Sequence, residues 1–270
     1  MRAHVQQLVK WTAAGADALR RPRGLVVLIY HRVGGHTPVS VDLPRPLFAE
    51  QLAVLAEEWT TVTVDEAARL LTEPAAPPGR PPVCITFDDG TADFVEEALP
   101  ELVDRRIPSM LYVATDHVET GRAFPDNGRA VSWAGLGDAL TTGLVTIGSH
   151  THTHRLLDRV DGPTAADELD RSIGLVEDRL GVTCAHFCYP KALPGSPAAE
   201  REVRSRFRTA AIGGTRPNPY GRTDLYRLHR SPVQVGDGVR WFRRKAAGGM
   251  ALEDDLRSVL NRRRYAGAVT

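Results

Sequence analysis

This sequence of 270 residues lacks the features that define several large classes of protein. Its three cysteines, Cys84, Cys184 and Cys188, are too few for a disulfide framework, and we expect them to be buried thiols. Lys plus Arg number 34 and Asp plus Glu number 33, so the chain has no excess of positive charge to attract nucleic acid. We therefore expect neither disulfides nor a nucleic-acid partner.

Long apolar runs are also missing from the chain. No stretch reaches the roughly 18 apolar residues that predict a membrane-spanning helix. Residues 1–24 have no apolar core typical of a secretory signal, so the expected location is cytoplasmic. Apolar residues at loosely helical spacing predict a basic helical segment over 1–24, and residues 239–270 predict a basic helical extension. Packing against the domain and peripheral membrane contact both stay open for these termini, as does the oligomeric state.

Between the termini, strand-like and helix-like segments alternate. The predicted strands are 25–30, 62–64, 83–87, 110–114, 144–149, 185–189 and 209–212, and the predicted helices are 46–59, 65–71, 94–105, 132–141, 165–180 and 198–207. This alternation is typical of a parallel sheet. The number of strand-like runs favours a closed or nearly closed α/β barrel, formed by one domain over 25–238.

Ionisable residues gather where two of the predicted strands end. Residues 86–90 read Thr-Phe-Asp-Asp-Gly, and residues 150–154 read His-Thr-His-Thr-His. Chemistry in α/β folds collects at the carboxyl ends of the strands. Because adjacent side chains of an extended backbone point to opposite faces, Asp88 and Asp89 can do two different jobs. One can bind a metal while the other handles a proton.

The histidines favour a metal site over an ordinary turn. On its own, the Asp-Asp-Gly string is explained equally well by a turn whose carboxylates accept backbone hydrogen bonds. Three histidines within five residues are hard to explain by packing: all three share a face if extended, and His150 and His154 share one in a helical turn. One carboxylate and two imidazoles suit Zn²⁺ or a neighbouring divalent metal, with positions open for water and substrate. The strings together predict a metal-dependent hydrolase.

At these two strings the chain resembles the polysaccharide deacetylases, carbohydrate esterase family 4, whose shared domain is the NodB homology domain. The resemblance covers roughly residues 25–235 and implies a distorted (β/α) barrel of about seven parallel strands. It implies that Asp88 is the general base and that Asp89, His150 and His154 bind a divalent metal ion. Zn²⁺ is the first expectation, with Co²⁺ or Ni²⁺ as alternatives. His152 falls at a free position of the motif.

Two further motifs of the family are altered. The third often contains an Arg that orients the base, whereas residues 187–191 read Phe-Cys-Tyr-Pro-Lys, so another group has to orient Asp88. The fifth supplies a Leu-His pair whose histidine is the general acid. His229 is the plausible match, with His31 or Arg230 as alternatives for that role.

Two residues are candidates for binding substrate. Tyr189 lies in the altered third motif, where its ring could stack on a sugar. His31 ends the first predicted strand, in a string that looks like the N-terminal strand of one branch of the family. A structural role is as plausible for His31, and ordinary packing is favoured for Tyr189.

The activity implied by the resemblance is removal of N-acetyl groups from amino sugars of a polysaccharide, oligosaccharide or glycoconjugate. Two alternatives stay open. The first is hydrolysis of another amide, such as a cyclic ureide or imide, on the same scaffold. The second is a glycan-binding module of low activity. The presence of Asp88 favours an enzyme, because binding alone needs no spare carboxylate beside a metal ligand.

Overall fold

The computed structural model describes residues 24–251 and contains a barrel of parallel strands. The strands are β1 Val26–Tyr30, β2 Arg32–Val33, β3 Asp42–Leu43, β4 Thr60–Val62, β5 Pro82–Phe87, β6 Ser109–Val113, β7 Val145–Ser149, β8 His186–Cys188, β9 Thr209–Gly213 and β10 Leu228–Pro232. The α-helices of this part are α1 Arg45–Glu58, α2 Val64–Thr72, α3 Leu99–Asp104, α4 Thr115–Thr120, α5 Trp133–Thr141, α6 Gly162–Leu180, α7 Pro197–Arg206 and α8 Gly238–Ala246. A π-helical turn, Phe94–Ala98, leads into α3, and 3₁₀ turns lie at Pro190–Ala192 and Val235–Asp237.

Seven strands close the barrel. Their order is β1-β10-β9-β8-β7-β6-β5, and β5 pairs back with β1 from Val83 opposite Val26 to Phe87 opposite Tyr30. The other edge of β5 is shared, because β4 pairs with its first half and β6 with its last two residues. β2 and β3 form a separate ribbon. The predicted (β/α) barrel of about seven parallel strands is confirmed.

Alternation along the strands separates two apolar layers. In β1, Val27 packs in the cluster that contains Tyr112 and Leu228, whereas Val26 and Leu28 pack in the cluster that contains the outer helices. Helix α2 contributes to the first cluster, and its Asp65 contacts the start of β8 and the residue before β9, so it covers the amino end of the barrel. The carboxyl end remains for the ionisable residues.

The three cysteines are buried and free, as expected. Residues 239–251, which follow the predicted boundary at 238, pack against the barrel. Phe242 and Ala246 of α8 pack in the outer core, and Lys245 forms a buried ion pair with Asp237, at 2.8 Å. Helix α8 ends at Ala246, and Gly248 has a φ of +84°, so the helical segment stops at the pair of glycines at 248 and 249.

The rest of the two basic termini lies outside the described residues, since the structure describes residues 24–251. The predicted helical segment over 1–24 and most of the predicted extension over 239–270 therefore stay predictions. Among the helices that are described, none combines the length and the apolar character needed to cross a bilayer.

Candidate active site

The two ionisable strings meet at the carboxyl end of the barrel. Asp88 directly follows β5, and its backbone N–H donates to the carbonyl of Tyr30 at 3.1 Å. His150 directly follows β7, and its N–H donates to the carbonyl of Val113 at 2.9 Å. Each string thus continues the hydrogen bonding of its sheet for one residue, which fixes where the side chains begin.

Three of the predicted metal ligands lie together. Asp89 Oδ1 is 3.6 Å from His150 Nε2 and 3.3 Å from His154 Nε2. One ligand atom from each of the three residues lies within 4.8 Å of the others. A carboxylate and two imidazoles at this spacing have the donor types and the closeness that a divalent transition metal requires.

The backbone at this cluster is neither extended nor helical. Asp89 has a φ of +74°, Thr151 of +63° and His154 of +62°. Positive φ at a residue other than glycine costs about 1–3 kcal/mol and persists where the surrounding structure imposes it. The prediction that the histidines share the face of a strand or a helical turn is therefore wrong, and a sharp turn brings His150 and His154 together.

The hydrogen bond made by one ring nitrogen of His150 fixes the tautomer of the ring. Nδ1 lies 2.8 Å from the carbonyl oxygen of Cys188, and because a carbonyl can only accept, Nδ1 carries the proton. The lone pair then lies on Nε2, which faces Asp89. Burial lowers the pKa of His150 to about 4, against the opposing charges of Asp88 and Asp89, so the ring is neutral at pH 7. Neutral imidazole is the form that binds metals.

Asp89 complements these rings electrostatically. Burial alone would raise the pKa of its carboxyl group, but the hydrogen bond from His154 and the charges of His31 and His150 lower it well below its usual range. The carboxylate is therefore ionised, as a metal ligand has to be.

Asp88 points the other way, into the barrel, where Arg230 binds it. Arg230 Nη1 donates to Oδ1 at 2.7 Å and Nη2 donates to Oδ2 at 2.8 Å. Asp88 is 3% exposed and Arg230 is 0% exposed. Nη1 also donates to Thr86 Oγ1 at 2.9 Å, and the guanidinium lies 5.2 Å from the ring centroid of Tyr112. Burial would raise the pKa of Asp88, but Arg230, followed by His150, lowers it below its usual value.

Arg230 gives Asp88 the charged partner that residues 187–191 do not supply. The thiol of Cys188, on β8, lies 3.6 Å from Asp88 Oδ2, so the altered strand still reaches the carboxylate but brings no charge to it. The guanidinium comes instead from β10. The sequence suggests Arg230 as an alternative proton donor and not as the partner of Asp88. The alternation of side chains along the strand was the signal that could have revealed this pairing. Arg230 lies on the same face of the strand as apolar Leu228, so it points into the interior, where an Arg needs a carboxylate partner.

A second group of possible ligands lies in the same place. Asp88, His150 and Cys188 also offer ligand atoms within 4.8 Å of one another. Both carboxylate oxygens of Asp88 are already bound by Arg230, and burial raises the pKa of the Cys188 thiol well above its usual value. Since the thiolate is the ligand form of cysteine, the group of Asp89, His150 and His154 is the better metal site.

Two predicted site residues do not join this arrangement. His229 alternates with the interior residues Leu228 and Arg230, so its side chain points outward, with Nδ1 3.4 Å from the carbonyl oxygen of Gly213. That placement does not support a role as proton donor beside Asp88. Tyr189 is 1% exposed and packs edge-on against Phe187, with ring centroids 4.9 Å apart. Its burial does not support stacking on a sugar.

His31 does lie at the site. It follows β1, the strand beside β5, and its charge lowers the pKa of both Asp88 and Asp89. Its Nδ1 is buried and has no hydrogen-bond partner among residues 24–251. His152 is buried outside the metal cluster, where Nδ1 lies 3.0 Å from Thr115 Oγ1.

A polar cleft of about 170 Å³ lies between the residues that follow His31 and the segment that follows Asp89. Both acidic and basic side chains line it, among them Arg32, Asp93 and Arg129. Arg32 Nη1 donates to the carbonyl of Asp126 at 2.9 Å, so one wall is fixed.

Known proteins share these motifs and this fold. The family model described as polysaccharide deacetylase matches residues 75–205, just under half of the chain. IcaB from Ammonifex degensii is 28% identical, with a TM-score of 0.69, and the match covers 82% of this chain and 97% of that one. No curated protein matches the sequence significantly.

Two more distant structures share the fold. PplD, a deacetylase from Streptococcus pyogenes solved in complex with acetate, is 19% identical with a TM-score of 0.74, covering 83% of this chain and 99% of its own. The deacetylase domain of BpsB from Bordetella bronchiseptica is 20% identical with a TM-score of 0.62, covering 77% and 95%. The segment that matches the polysaccharide deacetylase model, residues 75–205, contains both strings of ionisable residues, so the match agrees with the resemblance seen in the sequence.

Proposed function

We propose that this protein is a metal-dependent hydrolase that removes N-acetyl groups from amino sugars of a polysaccharide, oligosaccharide or glycoconjugate. One observation carries the proposal: a buried carboxylate, Asp88, is held by Arg230 directly beside a cluster of one carboxylate and two imidazoles. The family of the matched segment supports a deacetylase, and the cluster supports the dependence on metal.

The donor set fits a divalent ion. Asp89, His150 and His154 would hold it, because His150 presents Nε2 with a lone pair and Asp89 is ionised. Three protein ligands are typical of catalytic zinc sites, which keep a position open for water. We propose Zn²⁺, with Co²⁺ or Ni²⁺ as alternatives. When bound, the ion polarises the acetyl carbonyl and increases the acidity of the attacking water.

Asp88 is the proposed general base. It lies next to a metal ligand in the chain but is not needed as a ligand, and its ionised form can take the proton of the attacking water. Arg230 binds both oxygens of Asp88 and so fixes the orientation of the carboxylate. A planar bidentate pair defines this orientation better than a single hydrogen bond does. Because Arg stays protonated in proteins, we assign Arg230 to orientation and not to proton transfer.

The leaving amine needs a proton. Asp88 can return the proton that it accepted, and His31 is the other candidate, because it lies at the site with one ring nitrogen free of hydrogen bonds among the described residues. His229 is not part of this proposal, since its side chain lies on the outer face of β10.

The proposed partner is an N-acetylated glycan or glycoconjugate, and the cleft lined by Arg32, Asp93 and Arg129 is a proposed surface for binding it. The cytoplasmic location and the membrane contact expected from the basic termini stay predictions.

The test is an acetate-release assay on a panel of N-acetylated glycosides, combined with metal analysis of the same protein. Release of acetate by metal-loaded protein supports the proposal. Hydrolysis of a cyclic ureide or imide with no acetate would favour the other amide hydrolase, and sugar binding without turnover would favour a binding module. Either of these last two results would contradict the proposed activity.

A further inference from the structure

Glu168 is a buried carboxylate outside the cluster of metal ligands. It lies on α6 and is 5% exposed. Both of its oxygens accept hydrogen bonds from one residue: Oε2 from the backbone N–H of Thr153 at 2.8 Å, and Oε1 from the Thr153 hydroxyl at 2.7 Å. Thr153 directly precedes His154, so this fork acts on the backbone next to a proposed metal ligand.

The same loop is held from its other side by α4. The backbone N–H of Asp116 donates to the carbonyl of His152 at 2.8 Å, and that of Thr115 donates to the carbonyl of Thr151 at 3.4 Å. The segment from Thr151 to Thr153 is thus fixed between the start of α4 and the carboxylate of Glu168. These contacts surround a backbone whose φ is positive at Thr151 and again at His154.

The two histidines of the cluster are oriented by different means. His150 is oriented through its ring, whose Nδ1 donates to the carbonyl of Cys188. His154 itself has a backbone in the left-handed region, and its ring contacts Asp89 from there. The position of the ring therefore depends on the conformation of the backbone that leads into His154. A left-handed residue other than glycine persists where neighbouring contacts impose it. The carboxylate fork on Thr153 is such a contact.

We propose that Glu168 is a positioning residue of the metal centre: by binding Thr153 it holds the backbone of His154, and thereby sets the approach of His154 Nε2 to Asp89. This inference rests on the proposed metal site. Groups outside the ligand set commonly change metal affinity by about 10- to 100-fold when they are removed. Glu168 differs from the usual case, since it acts on the ligand's backbone and not on its ring.

The experiment measures the dissociation constant of Zn²⁺ by competition with a chelator, and the visible absorption of the Co²⁺-loaded protein. We expect Glu168→Ala to bind Zn²⁺ about 10- to 100-fold more weakly and to alter the Co²⁺ absorption bands. Glu168→Gln should restore affinity to within a few-fold, because its amide oxygen can accept the N–H while its amide N–H₂ donates to the rotated hydroxyl.

A double-mutant comparison tests whether the effect passes through Thr153. Thr153→Val removes the hydroxyl and keeps the backbone N–H, and its cost should not add to that of Glu168→Ala, because Glu168→Ala already removes the acceptor of that hydroxyl. Asp170→Asn is the matched control. Asp170 lies on the same helix but pairs with Arg206, whose Nη2 donates to Oδ2 at 2.9 Å, so its loss should leave Zn²⁺ affinity unchanged.

Three results would overturn the inference. One is a folded Glu168→Ala protein with the affinity and Co²⁺ spectrum of the wild type. Another is a cost of Thr153→Val that adds fully to that of Glu168→Ala. If Glu168→Ala does not fold, Thr153→Val carries the test, and unchanged affinity there counts against the inference. A wild-type protein that binds no metal would contradict the proposed function as well, whereas wild-type binding with an unaffected Glu168→Ala contradicts this inference alone.

Discussion

Arg230 and Asp88 form a two-point ion pair inside the barrel, with guanidinium–carboxylate distances of 2.7 and 2.8 Å. The two residues come from strands that do not pair directly, since β1 lies between β10 and β5. The pair therefore links three neighbouring strands at the end of the barrel where the proposed metal ligands lie. It gives the buried carboxylate a fixed direction and a counter-charge.

Removal of the guanidinium should cost both stability and turnover. Arg230→Ala leaves Asp88 buried without its partner, and breaking one side of a buried pair destabilises by about 3–5 kcal/mol. We expect turnover to fall by about 10²-fold or more, because the base loses its direction. Arg230→Lys should recover part of the stability, yet less of the turnover, since Lys cannot make the two-point contact. Unfolding by urea and steady-state kinetics measure the two effects. Full turnover in a folded Arg230→Ala protein would contradict the role of Arg230 in orienting Asp88.

Replacement of the base should separate chemistry from metal binding. Asp88→Asn keeps the shape of the side chain but cannot accept a proton, so we expect turnover to fall by about 10²–10⁴. Metal content should stay that of the wild type, because the proposed ligands are Asp89, His150 and His154. Loss of the metal in Asp88→Asn would mean that the ion is bound by the second group, which includes Cys188.

The two histidines that compete for the role of proton donor can be distinguished directly. His31→Ala should lower kcat/KM by about 10²-fold if His31 protonates the leaving amine, and His229→Ala should change it by less than about twofold. Unchanged rates in both variants would indicate that Asp88 donates the proton it took from water to the leaving amine. A large loss in His229→Ala would contradict the outward placement of that side chain.

The metal-free protein should lose stability as the pH falls below about 6.5. In this range His150 takes up a proton in the unfolded chain but not in the folded protein. The pKa of His150 is lowered to about 4 by burial, so the folded protein resists a proton that the unfolded chain takes up near its ordinary value. The stability from this group is therefore present at pH 7, falls by about 1.4 kcal/mol per pH unit from about pH 6.5, and is lost at about pH 4. Urea unfolding across this range measures the slope. His150→Gln, which does not titrate there, should be flatter, and an equal slope would show that other groups dominate.

The sequence predicted the metal cluster because of a rule of parallel sheets. Asp89 and His150 each follow an apolar strand, and the carboxyl ends of parallel strands lie at one end of a barrel. This rule applies without knowledge of which strands are neighbours. The turn within the histidine string was not predictable in this way, because the loop with positive φ at Thr151 and His154 is bound by α4 and Glu168, which come from other parts of the chain.

The partner of Asp88 was missed for a related reason. Strand β10 contains His229, Arg230 and Pro232, which break the apolar pattern that reveals the other strands. Tyr189 was a candidate sugar contact for which packing was favoured, and alternation after Phe187 places its ring in the core.

The most direct test of the account is acetate release and metal content measured on the same samples of wild type, His154→Ala and chelator-treated wild type. We predict that wild type contains about one divalent ion per chain and releases acetate from an N-acetylated glycoside. His154→Ala and the chelated protein should lose both, and added Zn²⁺ or Co²⁺ should restore acetate release in the chelated wild type. Undiminished acetate release from the metal-free protein would contradict the account.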